Sequence, residues 1–288
     1  TRQLFFWRQV IDLGEGSVVE EQFLNAFPPL SPLRFEEEMF RKRFLDADDR
    51  QIVSQLYREA VEDSIGYVES LKYRNLSWGD EELFDLSATC REVRCYNLRS
   101  LDLGGNDGFT SEGLAALGDA MEERGFPVLR SLDLSFCGKF AELPTSIGRV
   151  SSLTSLNLSN CRKLQQIPQE VGYLAALATL SLRFCSSLAT LPDSVGDLKV
   201  LTHLNLAHCQ GLIAVPDSLG ELKGLRELQL EGCEELVALP DLSSIPELKC
   251  PTLPMRLRNW ETNGRVAFDF RRMGRRRAVS MAATGGRR

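Results

Sequence analysis

From Leu129 onward the apolar positions recur in a single register. Leu129, Leu153, Leu177, Leu201 and Leu225 each open the pattern L-x-x-L-x-L and reach a cysteine eight residues on, which sets a unit of 24 residues. The last two leucines of the pattern alternate with other residues, the period-2 signature of a strand with one buried face. Leu204 and Leu206 are predicted to point inward, with His203, Asn205 and Ala207 pointing out. Strands that return once per unit without hairpin turns must run parallel, about 4.8 Å apart, in one continuous sheet with a long exposed side. After each strand the cysteine turns inward, a leucine or isoleucine fills the next layer, and a proline ends strand pairing because it lacks an N–H. A glycine such as Gly196 or Gly220 is then read as a tight return to the next strand. Each unit buries its apolar face only against its neighbours, so the pattern predicts a solenoid.

Upstream the period lengthens to 31 residues in Leu98–Val128 and 30 in Val68–Asn97. Both stretches carry the strand pattern followed by a helical one, with Leu114, Leu117, Ala120 and Met121 at helix spacing in the first. Asn106 stands where the shorter units place cysteine. Two long and five short units predict a sheet roughly 30–35 Å across. Residues 1–67 do not fit the repeat. Ile52, Leu56 and Ala60, with Val53, Tyr57 and Val61 beside them, form an amphipathic pattern behind an acidic start, read as a helix of a cap over the end of the solenoid. The tail of a missing upstream domain is the alternative. Ser243–Leu257 looks like a fading partial unit, and 271–288 has too few apolar residues to pack. The expected organisation is a helical flanking region over 1–67, a solenoid over 68–250 and a basic, disordered tail over 251–288.

The short unit, L-x-x-L-x-L-x-x-[NC]-x-L-x-x-L-P-x-x-[ILV]-G, resembles the 24-residue class of leucine-rich repeats. Segments such as Leu191–Leu198 ("LPDSVGDL") are similar to repeats of plant-type intracellular immune receptors of the nucleotide-binding kind and of plant Ras-group leucine-rich-repeat proteins. The two long units resemble ribonuclease-inhibitor-like repeats. The resemblance implies an α/β leucine-rich-repeat solenoid, with a curved parallel sheet on the concave side and helices or irregular segments on the convex side. It also implies a role in signalling or pathogen sensing through a protein partner.

Charge divides the chain. Residues 251–288 hold ten Arg and two acids, leaving 24 basic and 38 acidic side chains in the first 250 residues. Such a body repels phosphates, so nucleic acid contact is expected only through the basic tail. No stretch reaches the roughly 18 to 20 apolar residues of a membrane span, and Leu4–Trp7 is too short for a signal core. Thr1 in place of Met suggests a fragment or a processed chain. Five of the eight cysteines follow the repeat and none forms C-x-x-C, so they are read as reduced, buried thiols of a cytoplasmic protein, with nuclear placement open.

A binding function must use the outward columns of the sheet. Their middle column is polar throughout, from Lys72 and Asp102 to Gln229, while Phe136, Arg183 and Phe184 bring aromatics and a cation into a field of small polar residues. Such groups are typical binding anchors. The candidate partner-binding residues are Asp133, Phe136, Asn157, Arg183, Phe184, His203, Asn205 and Gln229. His203 and His208 cannot converge with Cys209, which faces the core, so neither a metal site nor a Cys–His nucleophile is expected. Asp102 and Asp133 lie side by side on an open sheet rather than across a pocket, which suits no acid–base pair. No phosphate-binding glycine loop occurs, and the sequons at Asn75 and Asn157 are expected to be unused. The expectation is a non-catalytic scaffold with no cofactor, no metal and no small-molecule substrate. Two alternatives stay open: the recognition segment of a larger enzyme or nucleotide-driven receptor, and a tether acting through the arginine-rich tail, whose Arg275–Ser280 also resembles a basophilic kinase site.

Overall fold

A computed structural model describes residues 30–41, 47–93, 95–123, 126–249 and 253–254. The expectations for Leu4–Trp7, Cys250 and the tail over 271–288 lie outside them. Seven three-residue strands, β1 (Ser70–Lys72), β2 (Ser100–Asp102), β3 (Ser131–Asp133), β4 (Ser155–Asn157), β5 (Thr179–Ser181), β6 (His203–Asn205) and β7 (Glu227–Gln229), form one parallel sheet in sequence order. Pairing is in register throughout: Leu71, Leu101, Leu132, Leu156, Leu180, Leu204 and Leu228 are successive partners. This is the solenoid that the leucine spacing predicts.

The convex side follows unit length. The long units return through helices, here α3 (Asp80–Val93) and α4 (Ser111–Glu122), and Leu114, Leu117, Ala120 and Met121 are buried as their spacing predicts. The short units return through single 3-10 turns at Thr145–Arg149, Gln169–Tyr173, Asp193–Asp197 and Asp217–Glu221, each preceded by proline. Gly196 and Gly220 lie inside these turns. Their role is close approach rather than a special backbone angle: a Cβ on Gly196 would stand 2.5 Å from Ser218 Cβ and 2.7 Å from Ser218 O in the next unit. Glycine therefore lets consecutive turns stack with backbone against backbone.

Polar groups inside the array are satisfied from unit to unit. The thiols of Cys161, Cys185, Cys209 and Cys233 donate to the carbonyls of Leu134, Leu158, Leu182 and Leu206 at 3.0–3.1 Å. Burial pushes Cys137 and Cys185 up to about 12 and Cys233 up to about 11, and raises Cys161 and Cys209 further. They are protonated donors at neutral pH. In the second unit Asn106 takes the same place with more capacity. It accepts from Leu76 N and Trp78 N at 2.9 and 3.1 Å and donates to Tyr73 O and Leu103 O at 2.6 and 2.8 Å.

Among the described residues two helices precede β1: α1 (Pro32–Phe40) and α2 (Ala47–Val61), the latter continued by a π turn over Glu62–Gly66. Leu30, Phe35, Tyr57 and Val61 pack together with Val93 of α3, and Phe35 and Tyr57 stack with centroids 3.9 Å apart. Arg34 pairs with Asp85 of α3, and Leu33 N donates to Glu92 Oε2 at 2.9 Å. The buried stripe of α2 is not centred where the sequence places it: Ile52 and Leu56 are 56% and 54% exposed, and Val53, Tyr57 and Val61 turn inward. Packing against α1 and α3 selects that stripe over the equally apolar one beside it.

Candidate functional site

The outward residues of β1–β7 make a continuous polar face, and the structure divides it in two. In the N-terminal half the side chains bind one another. Arg74, just beyond β1, reaches over two strands to Asp102 Oδ1 at 3.2 Å, Asp133 Oδ2 at 3.3 Å and Ser135 Oγ at 3.1 Å. Asn157 Nδ2 donates to Asp133 Oδ2 at 2.9 Å, Ser159 Oγ contacts Asn157 Oδ1 at 2.7 Å, and Ser159 meets Ser181 at 2.8 Å. Asp102 and Asp133, adjacent across β2 and β3, are therefore bridged by a guanidinium that the sequence reading did not place. The signal was a lone arginine at the exit of a strand, with the next two strands both ending in aspartate.

Asp102, Asp133, Asn157 and Asn205 also accept a bond from the backbone N–H two residues on, at 2.8–3.1 Å. These Asx turns direct the chain out of each strand. Asp133 and Asn157, both expected to meet a partner, thus spend their hydrogen-bonding capacity on the fold.

The C-terminal half differs. Among the described residues no hydrogen bond is formed by the side chain of Gln229 or of Arg183, whose guanidinium rests 4.8 Å above the Phe184 ring. His203 Nδ1 meets Thr202 Oγ1 at 2.8 Å, and its Nε2 lies 3.9 Å from Glu227 Oε2. Glu227 is held below the usual carboxylate range by its hydrogen bond and charge pairing with Lys249. Thr179, Ser181, His203, Asn205, Glu227 and Gln229 line an open depression of about 280 Å³. That is the lower edge of the roughly 300–1,000 Å³ that encloses small ligands, and it suits a side chain of a partner. Five of the eight predicted residues, Arg183, Phe184, His203, Asn205 and Gln229, gather on or beside this half.

Ala207, expected on the outward side, is fully buried, although Arg183 and Glu231 of the same column are not. His203, half exposed, and buried Cys209 lie on opposite sides of the sheet, and among the described residues no group of three His, Cys, Asp or Glu could hold a metal ion.

The strand exits carry a feature that leucine spacing could not reveal. Phe136, Asn160, Phe184 and His208 occupy equivalent places and all hold left-handed backbone, with φ of 60–63°. The same column holds Asn75, Gly105 and Gly232. Asn and Gly tolerate this conformation, whereas for other L-residues it costs roughly 1–2 kcal/mol each. Phe136 stays 54% exposed there, so burial returns little of the cost. The ladder of backbone bonds Phe136 N to Ser159 O, Asn160 N to Arg183 O, Phe184 N to Ala207 O and His208 N to Glu231 O keeps the exits stacked.

Among the described residues no helix is long and apolar enough to cross a membrane. A family model for a leucine-rich repeat region matches residues 115–268, and one for a leucine-rich repeat matches 94–118. No curated protein matches the chain. Among solved structures it is similar to the leucine-rich repeat domain of the type III effector XopL, at 18% identity over 89% of this chain and 96% of that one, with a TM-score of 0.48. A leucine-rich-repeat protein of Leptospira interrogans aligns at 22% identity over 68% of this chain and 56% of that one, TM-score 0.41. The Arabidopsis receptor kinase HAESA, solved with the peptide hormone IDA and the co-receptor SERK1, aligns at 20% identity over 57% of this chain and 30% of that one, TM-score 0.38. With seven in-register strands, a thiol ladder between units and a family model that spans more than half of its length, the chain belongs to the leucine-rich-repeat family.

Proposed function

We propose that the chain is a non-catalytic recognition scaffold that holds a protein partner on the concave face over β5–β7, in intracellular signalling or sensing. The leucine-rich-repeat fold generally mediates protein–protein interaction and is typically non-catalytic. One observation carries the reading: polar side chains are tied to one another over β1–β4, while His203 and Gln229 line an open depression, and Arg183 stands just beyond it, with few bonds of their own. Groups that are already satisfied gain little from a partner, whereas donors held in place and still unspent can exchange water for partner contacts at small ordering cost. An open depression with Arg183 and Phe184 just beyond its β5 edge has the composition of an interface anchor.

Quantitative affinity capture from source lysate tests this with the full chain, its R183A/H203A/Q229A variant and an S155A control on β4. A partner lost from the triple variant and kept by the control is expected. Equal capture by all three removes the concave face from consideration. The competing reading, a tether through the arginine cluster over 271–288, predicts that deleting those residues abolishes capture while the triple variant retains it.

A further inference from the structure

The exit turns of the units change charge along the solenoid. The second carries Asp107, the third Lys139, the fourth Arg162 and Lys163, and the seventh Glu234 and Glu235. Arg183 stands at the mouth of the fifth. Lys139, Arg162, Lys163 and Arg183 are all exposed, and among the described residues none of them takes part in an ion pair. Basic side chains elsewhere are mostly engaged: Arg74 with Asp102 and Asp133, Arg91 with Glu123, Lys199 with Glu221, Lys249 with Glu227. These four unpaired cations therefore share one edge of an otherwise acidic body, while Lys72, Arg130 and Arg149, also outside ion pairs among the described residues, lie singly elsewhere on the solenoid. The exits are stacked in register there, since Phe136 N bonds Ser159 O, Asn160 N bonds Arg183 O, and Ser186 Oγ bonds Arg162 O at 3.4 Å. Phe136 projects from the N-terminal end of this edge in a backbone conformation that disfavours it.

We propose that the exit edge of the third to fifth units is a docking site for an acidic peptide segment of a protein partner, one that sets an apolar side chain on Phe136 and carboxylates on Lys139, Arg162, Lys163 and Arg183. Unpaired cations around an exposed aromatic supply charge complementarity and an apolar anchor together. The extent of the patch selects the occupant. Three exit turns span roughly 10–15 Å, the length of about four extended residues. Beyond that the occupant meets Asp107 at one end and Glu234 and Glu235 at the other, which a short acidic segment avoids and a continuous polyanion such as a nucleic acid strand does not.

The test uses the full chain and a fluorescein-labelled probe, Gly-Gly-Phe-Glu-Asp-Glu-Gly-Gly, followed by fluorescence anisotropy. Binding that weakens with salt, falls roughly tenfold or more in K139E/R162E/K163E and falls again in F136N supports the site. A version of the probe with Lys at every acidic position should not bind. The three reversed residues are exposed and unpaired, so circular dichroism and melting should stay at the parent values, and none lies on β5–β7, which keeps this test apart from that of the concave face. Unchanged probe binding in K139E/R162E/K163E overturns the proposal. So does absence of binding to the parent chain, or tighter binding of an oligothymidine strand through the same three residues.

Discussion

The ring of Phe184 lies flat against that of His208, with centroids 4.6 Å apart and planes 6° apart, and both residues hold left-handed backbone. Two consecutive units thus place a strained residue at the same point of the strand exit and let the side chains cover each other. Phe136, two units away from Phe184 and without a ring partner among the described residues, is left to solvent.

That contrast makes Phe136→Asn a stabilising change. Asn160 already occupies the equivalent place at φ 63°, so Asn is accommodated, and removing a half-exposed Phe forfeits little burial. Relief of about 0.5–1 kcal/mol is expected, read as a higher urea midpoint at unchanged slope. A lower midpoint would mean that the ring is held by the fold after all.

Gly196→Ala should destabilise by about 1–3 kcal/mol, because the new methyl meets Ser218 Cβ and carbonyl oxygen in the next unit, and backbone cannot give way as a flexible side chain can. Gly138→Ala, with nothing within 4 Å of the added carbon, is the matched control and should be neutral or slightly stabilising. Equal effects at the two positions would refute stacking as the reason for glycine.

Asn106→Ala removes a side chain that serves two N–H donors and two carbonyls, all in the packed interior between the first two units. Each donor left unsatisfied costs about 1–3 kcal/mol, so the loss should exceed about 3 kcal/mol and localise to the N-terminal units in hydrogen exchange.

The thiol ladder sets an alkaline limit. Folded values of about 11–12 for Cys137, Cys185 and Cys233 stand above the ordinary 9.0, so the folded state holds protons that the unfolded chain releases first. Their stabilisation is complete below pH 9 and is lost as pH rises from there through about 12. The urea midpoint should accordingly hold from pH 7 to 8.5 and fall by pH 10, and iodoacetamide should leave the ladder thiols unmodified until the chain unfolds. Fast labelling at neutral pH in the native state would contradict the buried placement.

Leucine spacing reveals the sheet and its register because each unit repeats one burial problem, and Leu204 can point only one way once Leu180 and Leu228 do. It reveals less about α2, where two adjacent apolar stripes compete and contacts with α1 and α3 decide for Tyr57 over Leu56. The polar face is legible only as a list of residues. Which of them are spent depends on distances between units, and so Arg74 escapes notice while Asp133 and Asn157 look free. The backbone angle at Phe136 and Phe184 is invisible in a linear pattern, since the same place tolerates Asn and Gly without comment.

Because every exit residue sits one strand spacing, about 4.8 Å, from its counterpart, the distance from Phe136 to Phe184 is fixed in whole steps. Gain or loss of one complete unit between them would preserve each contact of the array and yet move the two rings apart or together by a full step. The solenoid therefore works as a ruler with discrete marks, on which recognition can be reset by counting units without redesigning any of them.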